Sequence, residues 1–494
     1  MSDLKTYQFY IDGEWCDAEG GKTFESIDPS TGQPWALMPE ASEADVNRAV
    51  EAADRAMWSA PWRNTLPHQR AALLRKLADL MAANARHLGE VETRDTGKII
   101  RETAGQAAYI AQYYHYFAGL CDKIEGSTLP LDKPDMIAMT VREPLGVVAA
   151  IVPWNSQQFL IANKLGPAIA AGNTVVLKAS EDGPAPIFEF AKLVEEAGFP
   201  PGVVNVITGF GEPCGRALTS HPKVARVAFT GGPDTARHVV RNTAENFAVT
   251  SLELGGKSPF IVFEDADIES ATNGVVAGIF GASGQSCVAG SRLFLQDSIH
   301  DQVIERIVEK ASHIRIGDPQ DGDTEFGPLC TMAQIEKIET NVAATLKAGG
   351  ILRYGGNRPQ GFDTGYYYAP TVIECPSHKL ATVEEEMFGP VLSVLRFSNE
   401  DEVIAMANDT RYGLAGGAFT RDISRALRVA KRLRNGITWI NTYRVVSPVA
   451  PFGGFKMSGH GRESGMDSVH DYTRTKTIWI NTSDAPMVDP FVMR

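Results

Sequence analysis

Between positions 42 and 125 the apolar residues recur at helical spacing. Ser42-Glu-Ala-Asp opens a run that places Val46, Val50 and Ala53 on one face, and the stretch from His68 to Met81 repeats the pattern. The spacing predicts amphipathic helices that pack one face on a core. From Gly146 the texture changes to short β-branched runs alternating with helical ones, at 147–152, 162–171, 174–177, 187–197, 203–208 and 224–229. Alternation of this kind implies a parallel sheet covered by helices on both faces. A second alternating block follows Glu253, with segments at 258–263, 268–280, 292–295, 299–311, 391–397, 403–407 and 436–440, and predicts a second α/β domain. Two further segments, 136–142 and 475–480, alternate as strands outside either block. An unpaired edge strand invites aggregation, so these read as arms used in subunit assembly. No internal repeat or low-complexity stretch interrupts the chain.

Composition narrows the class of protein. The chain has 494 residues, 44% of them hydrophobic, enough for several sizeable cores. Its 47 basic and 60 acidic residues give a net charge of −13, with no basic patch of the kind that nucleic acid or anionic lipid requires. Neither nucleic acid nor membrane is expected as a partner, and no apolar run reaches the roughly 18 residues of a membrane span. The six cysteines (16, 121, 214, 287, 330 and 375) show neither a disulfide framework nor zinc-ligand spacing, so no metal is expected. The start, Met-Ser-Asp-Leu-Lys-Thr-Tyr, resembles no secretory or transit segment, and a cytoplasmic setting follows as the expectation.

Two glycine turns follow predicted strands. Gly209-Phe-Gly211-Glu-Pro-Cys-Gly215 is one residue longer than a dinucleotide fingerprint, and by itself is equally a strand-ending turn. Phe229-Thr230-Gly231-Gly232-Pro233 ends a strand and opens a helix, where main-chain N–H groups can meet a phosphate. Two such turns in one sheet strengthen the cofactor reading.

The clearest signal is Gly284-Gln285-Ser286-Cys287-Val288-Ala289-Gly290, preceded by Leu252-Glu253-Leu254-Gly255-Gly256-Lys257-Ser258-Pro259 and by Pro153-Trp154-Asn155. Further on come Glu385-Glu386-Met387-Phe388-Gly389-Pro390 and the run from Pro451-Phe452-Gly453-Gly454 to Gly461-Arg462-Glu463. These five motifs resemble, in order, those of the aldehyde dehydrogenase superfamily, and the resemblance covers nearly the whole chain. It implies two doubly wound parallel-sheet domains and a small β-arm oligomerisation domain. Residues 1–124 and 145–254 would form the NAD(P)-binding domain, 255–455 the catalytic domain, and 125–144 with 472–494 the arms of a homodimer or homotetramer.

The implied reaction explains the residue types. An aldehyde cannot release hydride until it carries extra electron density, and addition of a thiolate supplies it as a thiohemiacetal alkoxide. Cys287 is the implied nucleophile; the other five cysteines read as small buried hydrophobes. The alkoxide needs preorganised donors, which the Asn155 amide and the Cys287 main-chain N–H would supply. Hydrolysis of the resulting thioester needs a carboxylate to activate water, and the resemblance assigns this to Glu253, with Lys164 as a further catalytic residue. On the cofactor side it implies Lys178, Ser180 and Glu181 at the adenosine ribose, and Glu386 at the nicotinamide ribose with Phe388 beside it. Ile151, Val152, Pro153, Trp154, Gly211, Phe229, Thr230, Gly231, Gly232, Leu254 and Gln334 complete the set. NAD is expected over NADP, because Glu181 would repel a 2′-phosphate. Gly232 stands where the family often has serine, removing one hydroxyl contact. The small-molecule aldehyde would enter a tunnel walled by Tyr109, Asn163, Ser286, Arg444 and Phe452, with Ser156 at its side. Arg444 there either pairs with an acid at the rim or meets an anion on the substrate. Two other readings remain: a CoA-acylating semialdehyde dehydrogenase, against which Glu253 argues, and a catalytically retired NAD-binding protein, against which the presence of nucleophile, base and oxyanion donor argues.

Overall fold

The computed structural model describes residues 4–487 and 489–492; the first three residues of the 1–124 segment and positions 488, 493 and 494 of the C-terminal arm lie outside the described residues. The expected N-terminal helices are present as Glu43–Trp58, Pro67–Ala83, Ala85–Thr96 and Ile100–Leu120. Ser42 caps the first, with Asp45 closing the reciprocal capping box.

The first block folds into five parallel strands: β1 (Val147–Ile151), β2 (Thr174–Ala179), β3 (Val204–Thr208), β4 (Val224–Thr230) and β5 (Val249–Glu253). Their order across the sheet is β5-β4-β1-β2-β3, so the winding reverses between β1 and β4. β1 to β3 are buried along their length, as expected for strands covered on both faces. The hairpin Phe9–Ile11 and Glu14–Cys16 extends the sheet beyond β3, and Gly459–His460 closes the other edge against β5.

The second block forms another sheet from β6 (Pro259–Val262), β7 (Arg292–Gln296), β8 (Thr371–Glu374), β9 (Val391–Phe397), β10 (Ala415–Phe419) and β11 (Ile437–Ile440). These run parallel in the order β8-β9-β7-β6-β10-β11, with Ile351–Tyr354 antiparallel at the β8 edge. The sequence pattern passes over β10 because its core, Ala-Gly-Gly-Ala, carries little hydrophobic signal. The glycines serve close approach: a Cβ on Gly417 would run into the Tyr443 ring.

The two candidate arms pair with each other. Met136–Pro144 and Thr473–Asn481 form a continuous antiparallel ladder from Pro144↔Thr473 to Met136↔Asn481, with Thr128–Leu129 on the far side. Among the described residues no strand pairs with the outer edge of Thr473–Asn481, which carries the exposed Ile478, Trp479 and Ile480. No helix among the described residues is long and apolar enough to cross a membrane, and no cluster of three or more His, Cys, Asp or Glu side chains among them could hold a metal.

Candidate active site

The C-terminal ends of β1, β4 and β5 open, at the reversal of strand order, onto a cavity of about 350 Å³ shared with the second block. Cys287, Asn155 and Glu253 all line it, with Pro153, Trp154, Thr230, Gly231, Gly232, Leu254, Ser286, Gln334, Glu386 and Phe388. Residues from 153 to 452 thus converge because strand ends from two sheets face one another.

Cys287 follows a loop in which Ala282 and Ser283 hold left-handed backbone, φ +54° and +52°. This is unfavourable for residues with a Cβ and is kept only where surrounding contacts dictate it. Those contacts are visible: the Ala282 N–H donates to Glu102 at 3.0 Å and the Ser283 hydroxyl donates to the Gly327 carbonyl at 2.9 Å. Burial, followed by the charges of Glu386 and Glu253, pushes the Cys287 thiol up to about 12, while Arg444 and the Cys287 main-chain N–H draw it down. Asn155 donates one amide hydrogen to the Gln285 carbonyl at 3.1 Å, which fixes the amide beside the cysteine loop and leaves its second hydrogen for another acceptor.

Glu253 ends β5 and is 3% exposed, yet neither carboxylate oxygen has a hydrogen-bond partner. Burial foremost, then the Glu463 charge, pushes its carboxyl well above the ordinary range, against the pull of Lys164 and Arg462. Lys164 does not reach the cavity wall. It is buried, ion-paired with Glu463, and donates to the Thr230 hydroxyl at 2.7 Å. Glu463 was legible only as the last residue of a motif. It reaches this position because Gly459–His460 pairs with β5 and Phe452 bridges to Glu463, carrying the segment back to the first sheet.

Along the crevice, Glu386 accepts the Gly256 N–H at 2.8 Å, and Trp154 meets the Phe388 ring edge to face, centroids 5.5 Å apart. Gln334 donates to the Met387 carbonyl, tying the helix Met332–Lys347 to this segment. Lys178, Ser180, Glu181 and Gly211 lie outside the cavity, at and beyond the ends of β2 and β3. Lys178 is buried with its amine 3.5 Å from the half-exposed Glu181 carboxylate. Ile151 and Val152 are buried at the end of β1, and the Phe229 ring packs beneath Gly231. The Gly231 N–H is already taken by the Glu253 carbonyl, and the helix Pro233–Asn242 begins with proline, so this turn offers fewer free main-chain donors than its sequence implies. The donor set still fits an extended dinucleotide, with carboxylates at two points suited to ribose diols and an aromatic pair at the inner end.

On the substrate side, Tyr109, Ser156, Ser286, Arg444 and Phe452 line the cavity as expected from sequence. Asn163 does not. It sits buried in the helix Gln157–Ala171, donating to the Phe159 carbonyl and accepting the Ser464 hydroxyl at 2.6 Å, and its place as a tunnel residue is corrected accordingly. It shares a helix face with Phe159 and Leu160 but lies one turn further along, beyond the cavity wall, where Ser464 meets it. Gln106, Phe159, Leu160, Lys337, Leu414 and Val446 also line the cavity and carry no motif in the sequence.

Comparison with known proteins agrees with this geometry. The chain is 58% identical over 492 residues to (Z)-2-((N-methylformamido)methylene)-5-hydroxybutyrolactone dehydrogenase of Acinetobacter baylyi, covering 99% of this chain and 100% of that protein. It is 41% identical to hydroxyisobutyraldehyde dehydrogenase of Mycolicibacterium austroafricanum, covering 97% of this chain and 94% of that one. The structure of an aldehyde dehydrogenase from Bacillus cereus in complex with NAD+ superposes with a TM-score of 0.95 at 40% identity, over 97% of both chains. Residues 15–478 match the model of the aldehyde dehydrogenase family, and the chain belongs to that family.

Proposed function

We propose that the chain oxidises aldehydes through a covalent adduct on Cys287. The observation that carries this reading is that Cys287 is the one cysteine lining the cavity among the described residues, in a wall that also carries the Asn155 amide and the unpartnered Glu253 carboxyl. The Cys287 thiol gives its proton to solvent water, the sulfur adds to the aldehyde carbon, and the carbonyl oxygen becomes an alkoxide held by the free Asn155 amide hydrogen and the Cys287 N–H. NAD(P)+, when bound, accepts hydride. Glu253 then takes a proton from water as the water oxygen attacks the thioester carbon; the C–S bond breaks, and acid and thiol are released. Lys164, paired with Glu463, places its positive charge beside these carboxylates.

Ile151, Val152, Pro153, Trp154, Thr230, Gly231, Gly232 and Leu254 would line the cofactor's path, with Gln334, Glu386 and Phe388 at the nicotinamide end. Lys178, Ser180 and Glu181, with Gly211, would hold the adenosine end, and the Glu181 charge favours NAD over NADP. The open edge of Thr473–Asn481, with its exposed Trp479, supports a homo-oligomer, dimer or tetramer, and six free thiols suit a reducing, cytoplasmic setting.

A second reading concerns the substrate. The 58% identical relative is named for a 5-hydroxybutyrolactone. Such a ring is a cyclic hemiacetal ester, and opening it gives an aldehyde that carries a carboxylate. We propose an aldehyde of this class for the present chain.

The deciding experiment follows NADH formation from propanal with and without CoA, with intact-mass analysis of the protein. Acylation of Cys287 and CoA-independent turnover support the proposal. Turnover only with CoA would establish the acylating reading, and absence of NADH and of adduct the retired one.

A further inference from the structure

We infer that Arg444 reads a carboxylate at the far end of the substrate and thereby makes semialdehyde acids the preferred aldehydes of this enzyme. The inference rests on the reading of Cys287 as nucleophile. Arg444 lines the same cavity as Cys287, and its positive charge acts on that thiol. Its guanidinium makes one hydrogen bond, from an Nη to the Ala277 carbonyl at 3.1 Å. Among the described residues no carboxylate oxygen lies within ion-pairing distance of it. Glu102 stands across Gly281, with one oxygen engaged by the Ala282 N–H and the other buried without a partner. The rim acid that the sequence leaves open as a partner is therefore not paired with Arg444.

The side chain is also placed at a cost. Arg444 holds a left-handed backbone, φ +60°, which is unfavourable by about 1–3 kcal/mol for a residue with a Cβ. Its guanidinium passes over Gly281, where a Cβ would stand 2.5 Å from the Nη. The segment that carries it is tied down by the Tyr109 hydroxyl, which donates to the Val446 carbonyl at 3.0 Å. A guanidinium presents five donors, and among the described residues most of them are unspent, in a wall where Tyr109, Phe159 and Phe452 stand beside the neutral polar Gln106 and Ser156. Such a site is satisfied by a planar anion that accepts two parallel N–H bonds. Lys337, a second cation of the lining, acts on Glu386 at the cofactor side, and leaves Arg444 as the anion reader at the substrate side.

The test compares kcat/KM for 4-oxobutanoate, its neutral methyl ester and butanal, in the wild type and in Arg444→Leu and Arg444→Lys. The wild type should prefer 4-oxobutanoate over the methyl ester by about 30-fold, the range of a charge-assisted hydrogen-bonded pair. In Arg444→Leu that ratio should collapse toward one, chiefly through KM, and Arg444→Lys should retain part of it. A wild type that does not discriminate acid from ester, or a ratio unchanged in Arg444→Leu, would overturn the inference while leaving the nucleophile intact. The wild-type comparison decides the matter even where a variant fails to fold. No oxidation of any of the three aldehydes would overturn the nucleophile reading, and this inference with it.

Discussion

Lys164 and Glu463, 299 positions apart in the sequence, form a buried ion pair beside the unpartnered carboxyl of Glu253. Three ionisable groups thus share one buried compartment, Lys164 carrying the positive charge among them. Burial first, and the Glu463 charge after it, make Glu253 hold its proton into a higher pH range than a free glutamate, against the pull of Lys164 and Arg462.

The pair sets a pH dependence. Glu253 can act as base only when ionised, and its raised pKa means that this form is lost as pH falls, so turnover limited by thioester hydrolysis should climb with pH. Glu463→Gln removes a charge that raises the Glu253 pKa and should shift this limb to lower pH. It also leaves Lys164 buried without its counter-charge, a loss of about 3–5 kcal/mol in stability. Profiles of kcat against pH, with melting curves, check both; an unmoved limb would disconnect Glu463 from Glu253.

Glu253→Gln should separate the two halves of the reaction. A burst of NADH near one equivalent per site should survive while steady turnover collapses, because adduct formation does not need the base and hydrolysis does. Stopped-flow absorbance reads both phases. Loss of burst and turnover together would instead make Glu253 the base that activates the thiol.

Cys287→Ser should abolish aldehyde oxidation and leave nucleotide binding in place, since a serine hydroxyl is far less ionised than a thiol. Residual turnover above about a few per cent would exclude Cys287 as nucleophile. Asn155→Ala should lower kcat by about 10²–10³, the usual effect of losing one oxyanion donor. An unchanged kcat would reduce Asn155 to a support for the Gln285 carbonyl.

Lys257 makes a prediction about stability. It is 1% exposed, its amine has no partner, and burial, followed by the Arg292 charge, pushes it down to about 7. Between about pH 7 and the free lysine value near 10.4, the unfolded chain carries a proton that the folded chain lacks. Folded stability from this group therefore rises across that window, and the cost of the charged amine is fully present below it. The whole difference amounts to at most about 5 kcal/mol. The Tm of Lys257→Met relative to wild type should be higher near pH 6 than near pH 9.5, and an equal offset at both would refute the assignment.

The sequence by itself determined the residues proposed to carry the chemistry and much of the strand and helix alternation of both blocks, though not β8 or the helices Met332–Lys347 and Ile423–Arg432. Both are local: a β-branched run is written in neighbouring positions, and Cys287, Asn155 and Glu253 sit in unbroken motifs. It did not reveal β10, whose glycines trade hydrophobic signal for close packing against Tyr443. Asn163 shows the same limit, since spacing along a helix does not say how far along one face the cavity extends before Ser464 covers it. The two arm segments could be recognised as strands, but only the ladder between them decided that they pair within the chain. The partnership of Lys164 with Glu463 and the open donors of Arg444 are likewise products of tertiary structure. Ion pairing and desolvation depend on which distant groups are brought within a few ångströms in a medium without water, and the order of residues along a chain does not contain that distance.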